Sequence, residues 1–212
     1  SLYVPYYVVT SQNEVYKGFW NCNKKYHAYG VLYSLNLQEG KDSRTEGIFH
    51  NGLLNGWGRI IFSDGEIIIG NFNHGRLKGK GQFQRSDGSS YEGEFSEGTP
   101  HGIGKETNND GSFFEGTYIG GKKRYGKITW KDGGSYEGYF ENDLFNGEGT
   151  YIWKEGREYK GMWRDGKMEG KGKITYSDGS YYEGEFSSGK KNGIGKYVWE
   201  KEKYYDGKWK DD

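Results

Sequence analysis

The sequence predicts an all-β protein, an elongated single-layer antiparallel sheet assembled from β-hairpin repeats. Three observations predict it. A Tyr-x-Gly signature returns at nearly constant spacing through most of the chain. The 38 glycines fall at regular places, where each would cost a helix interior about 1 kcal/mol. Aromatic residues reach 18% in a chain with only 32% hydrophobic residues and a mean hydropathy of -1.03. Disordered chains are polar but poor in aromatics, so this composition points to a thin, ordered β-protein without a thick core.

The spacing is carried by Gly47, Gly70, Gly93, Gly116, Gly138, Gly161, Gly184 and Gly207, which follow one another at 23 residues in six cases and 22 in one. A fixed period in this range marks a repeat architecture in which each unit stacks on its neighbours. The short spacing traces to a one-residue deletion near Arg124-Tyr125-Gly126. Residues 1–15, with Pro5 and the cluster Tyr6-Tyr7-Val8-Val9, read either as an edge strand or as a cap. Residues 16–46 form a degenerate first repeat opened by Tyr16-Lys17-Gly18-Phe19, with an insertion from Leu35 to Arg44. Residues 47–212 hold seven full repeats and a partial C-terminal one.

Each repeat reads as two strands and two turns. The second turn is Asp-Gly at Asp64-Gly65, Asp87-Gly88, Asp110-Gly111, Asp132-Gly133 and Asp178-Gly179, the strongest short hairpin signal. The first turn carries Gly52, Gly75, Gly98, Gly121, Gly166 or Gly189, with Asp143 where one glycine is expected. Thr45 and Ile69 stand in for the leading tyrosine of their repeats.

Strand alternation sorts the two faces. Tyr91, Gly93 and Phe95 point one way, and Glu92 and Glu94 the other. In second strands Gly170, Gly172, Ile174 and Tyr176 share a face, with Lys171, Lys173 and Thr175 opposite. One face is glycine plus aromatic and the other is charged. Glycines give aromatic rings room to lie flat against the backbone.

The assembled pattern, Tyr-Glu-Gly-x-Phe/Trp followed by Gly-x-Gly and Asp-Gly, closely resembles the MORN (membrane occupation and recognition nexus) repeat over about Gly47 to Trp209, with a degenerate copy from Tyr16. The resemblance implies a twisted single-layer sheet acting as a scaffold. It further implies attachment to cytoskeletal, ciliary or membrane-proximal assemblies, binding of partner helices, and dimerisation.

No catalytic constellation stands out. His27, His50, His74 and His101 fall at different places in their repeats and are not expected to converge. Glu92, Glu137 and Glu183 recur at one position, the mark of a solvated face rather than a unique acid or base. The Gly-x-Gly pairs lack the helix and lysine of a phosphate loop. The Asp-Gly turns lack the dense Asp spacing of a calcium loop. Neither a metal nor a cofactor is expected, and the chain reads as a non-enzyme.

With 30 basic and 30 acidic residues, no global field draws the chain to nucleic acid. The single Cys22 excludes an internal disulfide and favours a reducing compartment. The start, Ser1-Leu2-Tyr3-Val4-Pro5, lacks the basic residues of a secretory leader. A cytoplasmic location is therefore expected, with the cytoskeletal, ciliary or membrane-proximal association that the resemblance implies.

Two surfaces are candidates for binding. The first is the aromatic face: Tyr91, Phe95, Tyr136, Phe140, Tyr151, Trp153, Tyr159, Trp163, Tyr176, Tyr182, Phe186, Tyr197 and Trp199. Either these rings cover themselves on the glycines, or they receive a partner helix or a second copy of the chain. The second is a basic loop edge: Arg76, Lys78, Lys122, Lys123, Arg124, Lys167, Lys190 and Lys191. These cations either meet anionic lipid headgroups or are simply solvated. A secreted glycan- or choline-binding repeat is a third reading, disfavoured by the Tyr-Glu-Gly-x-Trp opening.

Overall fold

A computed structural model of the chain describes residues 8–10, 13–35, 40–200 and 203–212. Residues 1–7 and 11–12 of the expected cap, and 36–39 of the expected insertion, lie outside them. The chain divides into two compact units, Ser1–Asn109 and Asp110–Asp212. Among the described residues every regular element is a strand.

The first unit holds β1 (Val8–Thr10), β2 (Glu14–Trp20), β3 (Tyr26–Ser34), β4 (Ser43–His50), β5 (Leu53–Phe62), β6 (Ile67–Asn73), β7 (Arg76–Gln84), β8 (Ser90–Ser96) and β9 (Thr99–Thr107). The second holds β10 (Phe113–Ile119), β11 (Lys122–Thr129), β12 (Ser135–Glu141), β13 (Leu144–Ile152), β14 (Glu158–Arg164), β15 (Lys167–Thr175), β16 (Tyr181–Ser187), β17 (Lys190–Glu200) and β18 (Lys203–Trp209). Within each unit consecutive strands pair antiparallel as an open meander, and among the described residues no second layer packs on it.

The register brings the signature glycines into line. In the second unit Gly116 faces Gly126, Gly126 faces Gly138, and the row continues through Gly149, Gly161, Gly172, Gly184 and Gly195 to Gly207. The first unit has the same row from Gly18 through Gly30, Gly47, Gly58, Gly70 and Gly81 to Gly93 and Gly104. The row exists because the tyrosine two residues earlier folds flat over it. A Cβ on Gly172 would lie 2.4 Å from the Tyr159 hydroxyl, and one on Gly161 2.5 Å from it. Tyr16, Tyr91, Tyr136 and Tyr182 cover their own glycine pairs in the same way.

Each such ring is pinned at both ends. The hydroxyls of Tyr91, Tyr136, Tyr159 and Tyr182 donate to the carbonyls of Glu94, Tyr139, Met162 and Glu185 at 2.9 to 3.0 Å. That carbonyl is offered by a bulge. Between Gly161 and Trp163 the first strand advances 163 − 161 = 2 residues, while the second advances 172 − 168 = 4. Four residues along from each of these tyrosines, Phe95, Phe140, Trp163 or Phe186 meets the ring edge-on, with centroids 5.1 to 5.2 Å apart, a favourable arrangement for aromatic quadrupoles.

Two repeats with an aliphatic or small residue in place of the tyrosine fill the same space from the other strand. Ile68, not Ile69, stands two residues before Gly70 at the tyrosine position, and there the Leu77 side chain lies over Gly70 and Gly81. Leu54 does the same over Gly47 and Gly58, where Thr45 is too small. Volume over the glycines is thus conserved by an exchange of donor strand.

The turns differ from expectation in one respect. The two-residue geometry with both central residues at positive φ belongs to the first turn, as at Asp165 (48°) and Gly166 (76°). Asn142 (50°) and Asp143 (61°) adopt it too, because aspartate and asparagine tolerate the left-handed region, so no glycine is needed at 143. The Asp-Gly turn is instead a longer loop: the Gly179 amide donates to the Tyr176 carbonyl, and Tyr176 in turn donates to Ser180. Its aspartate acts as a local clamp, with Asp178 Oδ1 accepting from the Ser180 amide at 2.9 Å and hydroxyl at 2.6 Å. These serine hydrogen bonds hold the Asp178 carboxyl below the usual carboxylate range.

Candidate protein-interaction face

The aromatic face is mostly spent on its own packing. Of the thirteen residues expected to receive a partner, Tyr91, Phe95, Tyr136, Phe140, Tyr159, Trp163, Tyr182 and Phe186 are buried. The tyrosine rings lie on glycines and the phenylalanine and tryptophan rings meet them edge-on, so they have little surface to give. The Trp163 indole N–H is satisfied internally by the Gly149 carbonyl at 3.2 Å. Tyr151, Trp153, Tyr176 and Tyr197 are half-buried, and Trp199 is exposed. These five stand towards the ends of their strands at the second turn of a repeat, with Tyr151 against Trp153 at 4.5 Å and Tyr197 against Trp199 at 4.6 Å.

The basic edge is also divided. Lys123 turns onto the Phe114 ring, 5.3 Å from its centroid, and Lys191 turns in among aromatic rings. Both occupy the strand position that faces the ring at the end of the preceding strand, Tyr118 for Lys123 and Phe186 for Lys191, so the pleat aims them at the sheet instead of solvent. Arg76 faces Glu97 at 3.6 Å. Lys78, Lys122, Arg124, Lys167 and Lys190 stay exposed.

The opposite face carries what the charged pattern concealed. The residues just after the first glycine of a pair and just before the second stand on this face, on one side of the glycine row. Several are large and apolar: Ile48 and Trp57 in the first unit, and Tyr125, Tyr139, Met162 and Ile194 in the second. Trp57 is 51% exposed, Tyr139 54% and Ile194 63%. Tyr125 pairs directly with Tyr139, their centroids 4.9 Å apart.

On this side the backbone along the glycine row makes the floor of a groove, between side chains that rise from the residues before and after the glycines. In the second unit Tyr125, Tyr139 and Met162 line an open groove of about 690 Å³ with Glu137, Glu148, Lys160 and Lys171. In the first unit Trp57, Ile69 and Ile103 line one of about 640 Å³ with Lys80, Glu92 and Glu94. Exposed apolar area rimmed by charge is the usual character of a surface built for another protein. Glu92, Glu137 and Glu183 do not form an acid/base pair here. They are rim residues, with Glu183 3.5 Å from Lys173.

The repeat pattern matches the family model described as MORN repeat at residues 46–67, 69–90, 91–113, 114–135, 136–156, 159–181 and 182–202, well over half of the chain. This chain is a MORN-repeat protein. MORN repeats occur in proteins that bind other proteins or membranes, and the family is in general a non-catalytic repeat scaffold. No individual curated protein matches the chain.

Outside the seven matched MORN repeats, β2 and β3 form another hairpin of the same design, with Tyr16 over Gly18 and Gly30 and stacked on Tyr26 at 4.1 Å. One expectation about the histidines is corrected in this region. His27 and His50 come together, their ring centroids 5.3 Å apart, because pairing of β3 with β4 sets Ala28 against Phe49. Among the described residues no group of three or more His, Cys, Asp and Glu is placed to hold a metal.

Burial of the MORN tyrosines has a titration signature. It pushes Tyr16 and Tyr91 up to about 12, and Tyr136 and Tyr159 higher still. Because the folded pKa lies above the unfolded value, the stabilisation is complete below the ordinary tyrosine pKa of about 10 and is lost as pH rises from there towards the folded value. An alkaline titration followed by phenolate absorbance is therefore expected to be biphasic. The buried set Tyr16, Tyr91, Tyr136 and Tyr159 ionises only together with loss of the β spectrum. A single smooth titration of all 20 tyrosines without unfolding would contradict this.

Proposed function

We propose that this chain is a non-enzymatic scaffold that holds a partner protein in the groove along its glycine row, on the face opposite the buried tyrosines. The observation that carries this reading is the exposed apolar set Tyr125, Tyr139 and Met162, grouped in one groove and rimmed by charges of both signs. The apolar centre supplies affinity, while Glu137, Glu148, Lys160 and Lys171 select partner and register. Attachment within a cytoskeletal or ciliary assembly is the setting the family resemblance supports.

The test is a comparison of captured partners, by quantitative mass spectrometry, between the native chain and the double variant Tyr139→Glu/Met162→Glu. Both side chains project from the sheet into solvent, so the fold is expected to persist. Partners held by the native chain should fall about tenfold or more in the variant. Equal recovery of every partner would overturn the reading.

Attachment to anionic lipid through the turns is the second reading, supported by the exposed Lys122, Arg124, Lys167 and Lys190. The same turns also carry Glu141, Asp143 and Asp165, which weakens the field those cations present.

A further inference from the structure

We propose that the niche enclosing the Lys191 side chain, in the second unit, is a binding site for a methylated ammonium group, with Lys191 as its resident occupant and gate. The Lys191 Nζ lies 5.2 Å from the ring centroid of Trp209, 5.3 Å from Tyr197, 5.7 Å from Tyr182 and 6.0 Å from Tyr176. Four rings around one cation are the arrangement by which proteins recognise quaternary ammonium groups, through the negative potential of the ring faces. The walls are braced from behind. The Trp209 indole N–H donates to the Gly195 carbonyl at 2.8 Å, the Tyr182 hydroxyl to the Glu185 carbonyl at 2.9 Å, and Tyr182 meets Trp209 edge-on at 5.1 Å.

The niche is a feature of the repeat, and its occupant changes along the chain. Lys191 stands opposite Phe186, Met168 opposite Trp163, and Phe145 opposite Phe140. Phe145 occupies its niche, stacking on Tyr136 at 3.8 Å with Trp163 at 5.3 Å. The two preceding repeats thus carry apolar side chains at this position. At 191 the occupant is a charged lysine on a flexible four-carbon stem, half-buried as Phe145 and Met168 are.

A primary ammonium is a weak tenant of such a cage. It is compact and strongly hydrated, so leaving the rings for water costs it little. A methylated ammonium keeps the positive charge but has exchanged N–H groups for methyl groups, which are better matched to ring faces than to water. Such a group, on a trimethyl-lysine stem or as free choline, would displace Lys191 outwards.

Tetramethylammonium is the probe, followed by tryptophan fluorescence and by the ring-proton resonances of Tyr176, Tyr197 and Trp209. Lys191→Ala is expected to bind it about tenfold more tightly than the native chain, since the competitor is gone. Lys191→Met, which repeats the plug found at 168, should bind less than either while keeping the β spectrum. Tyr197→Leu placed on Lys191→Ala should abolish the gain. Equal affinity of Lys191→Ala and Lys191→Met, or no response of the three rings in a folded Lys191→Ala chain, would overturn the proposal. Should Lys191→Ala fail to fold, the native chain responding no more than Lys191→Met overturns it equally. Choline and trimethyl-lysine, titrated in parallel, distinguish the two sources of the group.

Discussion

Replacing Tyr159 by alanine is expected to lower stability by about 3–5 kcal/mol, the range for removing a large buried aromatic. The ring is fully buried, and what it leaves is a void over Gly161 and Gly172. Loss of the ring also strips Trp163 and Phe186 of their edge contacts at 5.1 and 5.0 Å, so damage should reach the adjoining repeat. Tyr159→Phe separates packing from hydrogen bonding. It keeps the ring but leaves the Met162 carbonyl without its donor, a loss of about 1 kcal/mol. Phe114 already shows that a ring without a hydroxyl can fill the space over Gly116 and Gly126. Urea midpoints of the two variants against the native chain are the measurement. Similar midpoints for Tyr159→Ala and Tyr159→Phe would show that the ring is not what holds the repeat.

The reciprocal change, Gly172→Ala, is expected to cost about 1–3 kcal/mol by overpacking. An added Cβ would stand 2.4 Å from the Tyr159 hydroxyl and 2.6 Å from two of its ring carbons. The ring cannot tip away, because its hydroxyl is held by Met162 and its edge by Trp163. Gly179→Ala is the informative contrast. Its Cβ meets nothing within 4 Å, so the cost is only that of an alanine at positive φ, about 1–2 kcal/mol. Gly172→Ala should in addition shift the tyrosine signals, which Gly179→Ala should leave alone. Unchanged tyrosine signals in Gly172→Ala would mean that the ring does not rest on this glycine.

The fold was legible to an unusual depth because its determinants are local and repeated. A 23-residue period, alternation within strands, and glycines paired across them are properties of residue order, and the sheet keeps neighbours in sequence as neighbours in space. The pairing of glycine with aromatic was legible for the same reason. The function of that pairing was not. Alternation places Tyr159, Gly161 and Trp163 on one side without saying whether the rings stand up towards a partner or lie down on the backbone. The hydroxyl-to-carbonyl bond to Met162 decides that, beside a bulge whose mark in the sequence is Gly170, held at a positive φ of 70°. The charged face misled for a related reason. Lys160 and Lys171 dominate its composition, while Tyr125, Tyr139, Met162 and Ile194 sit at one repeated pair of positions flanking the glycines, a signal visible only once glycine is aligned with glycine across strands.

The sequence by itself determined that this is an antiparallel sheet of MORN repeats, because period and alternation are written in residue order. Only the tertiary structure decided which face is closed and which is open. It also decided that Lys123 and Lys191 turn onto rings while Lys122 and Lys190 remain in solvent, and that Leu54 and Leu77 replace missing tyrosines from the neighbouring strand. Those outcomes depend on rotamer, bulge and register acting together within a few ångströms, where a missing Cβ on one strand is filled by a side chain rooted elsewhere.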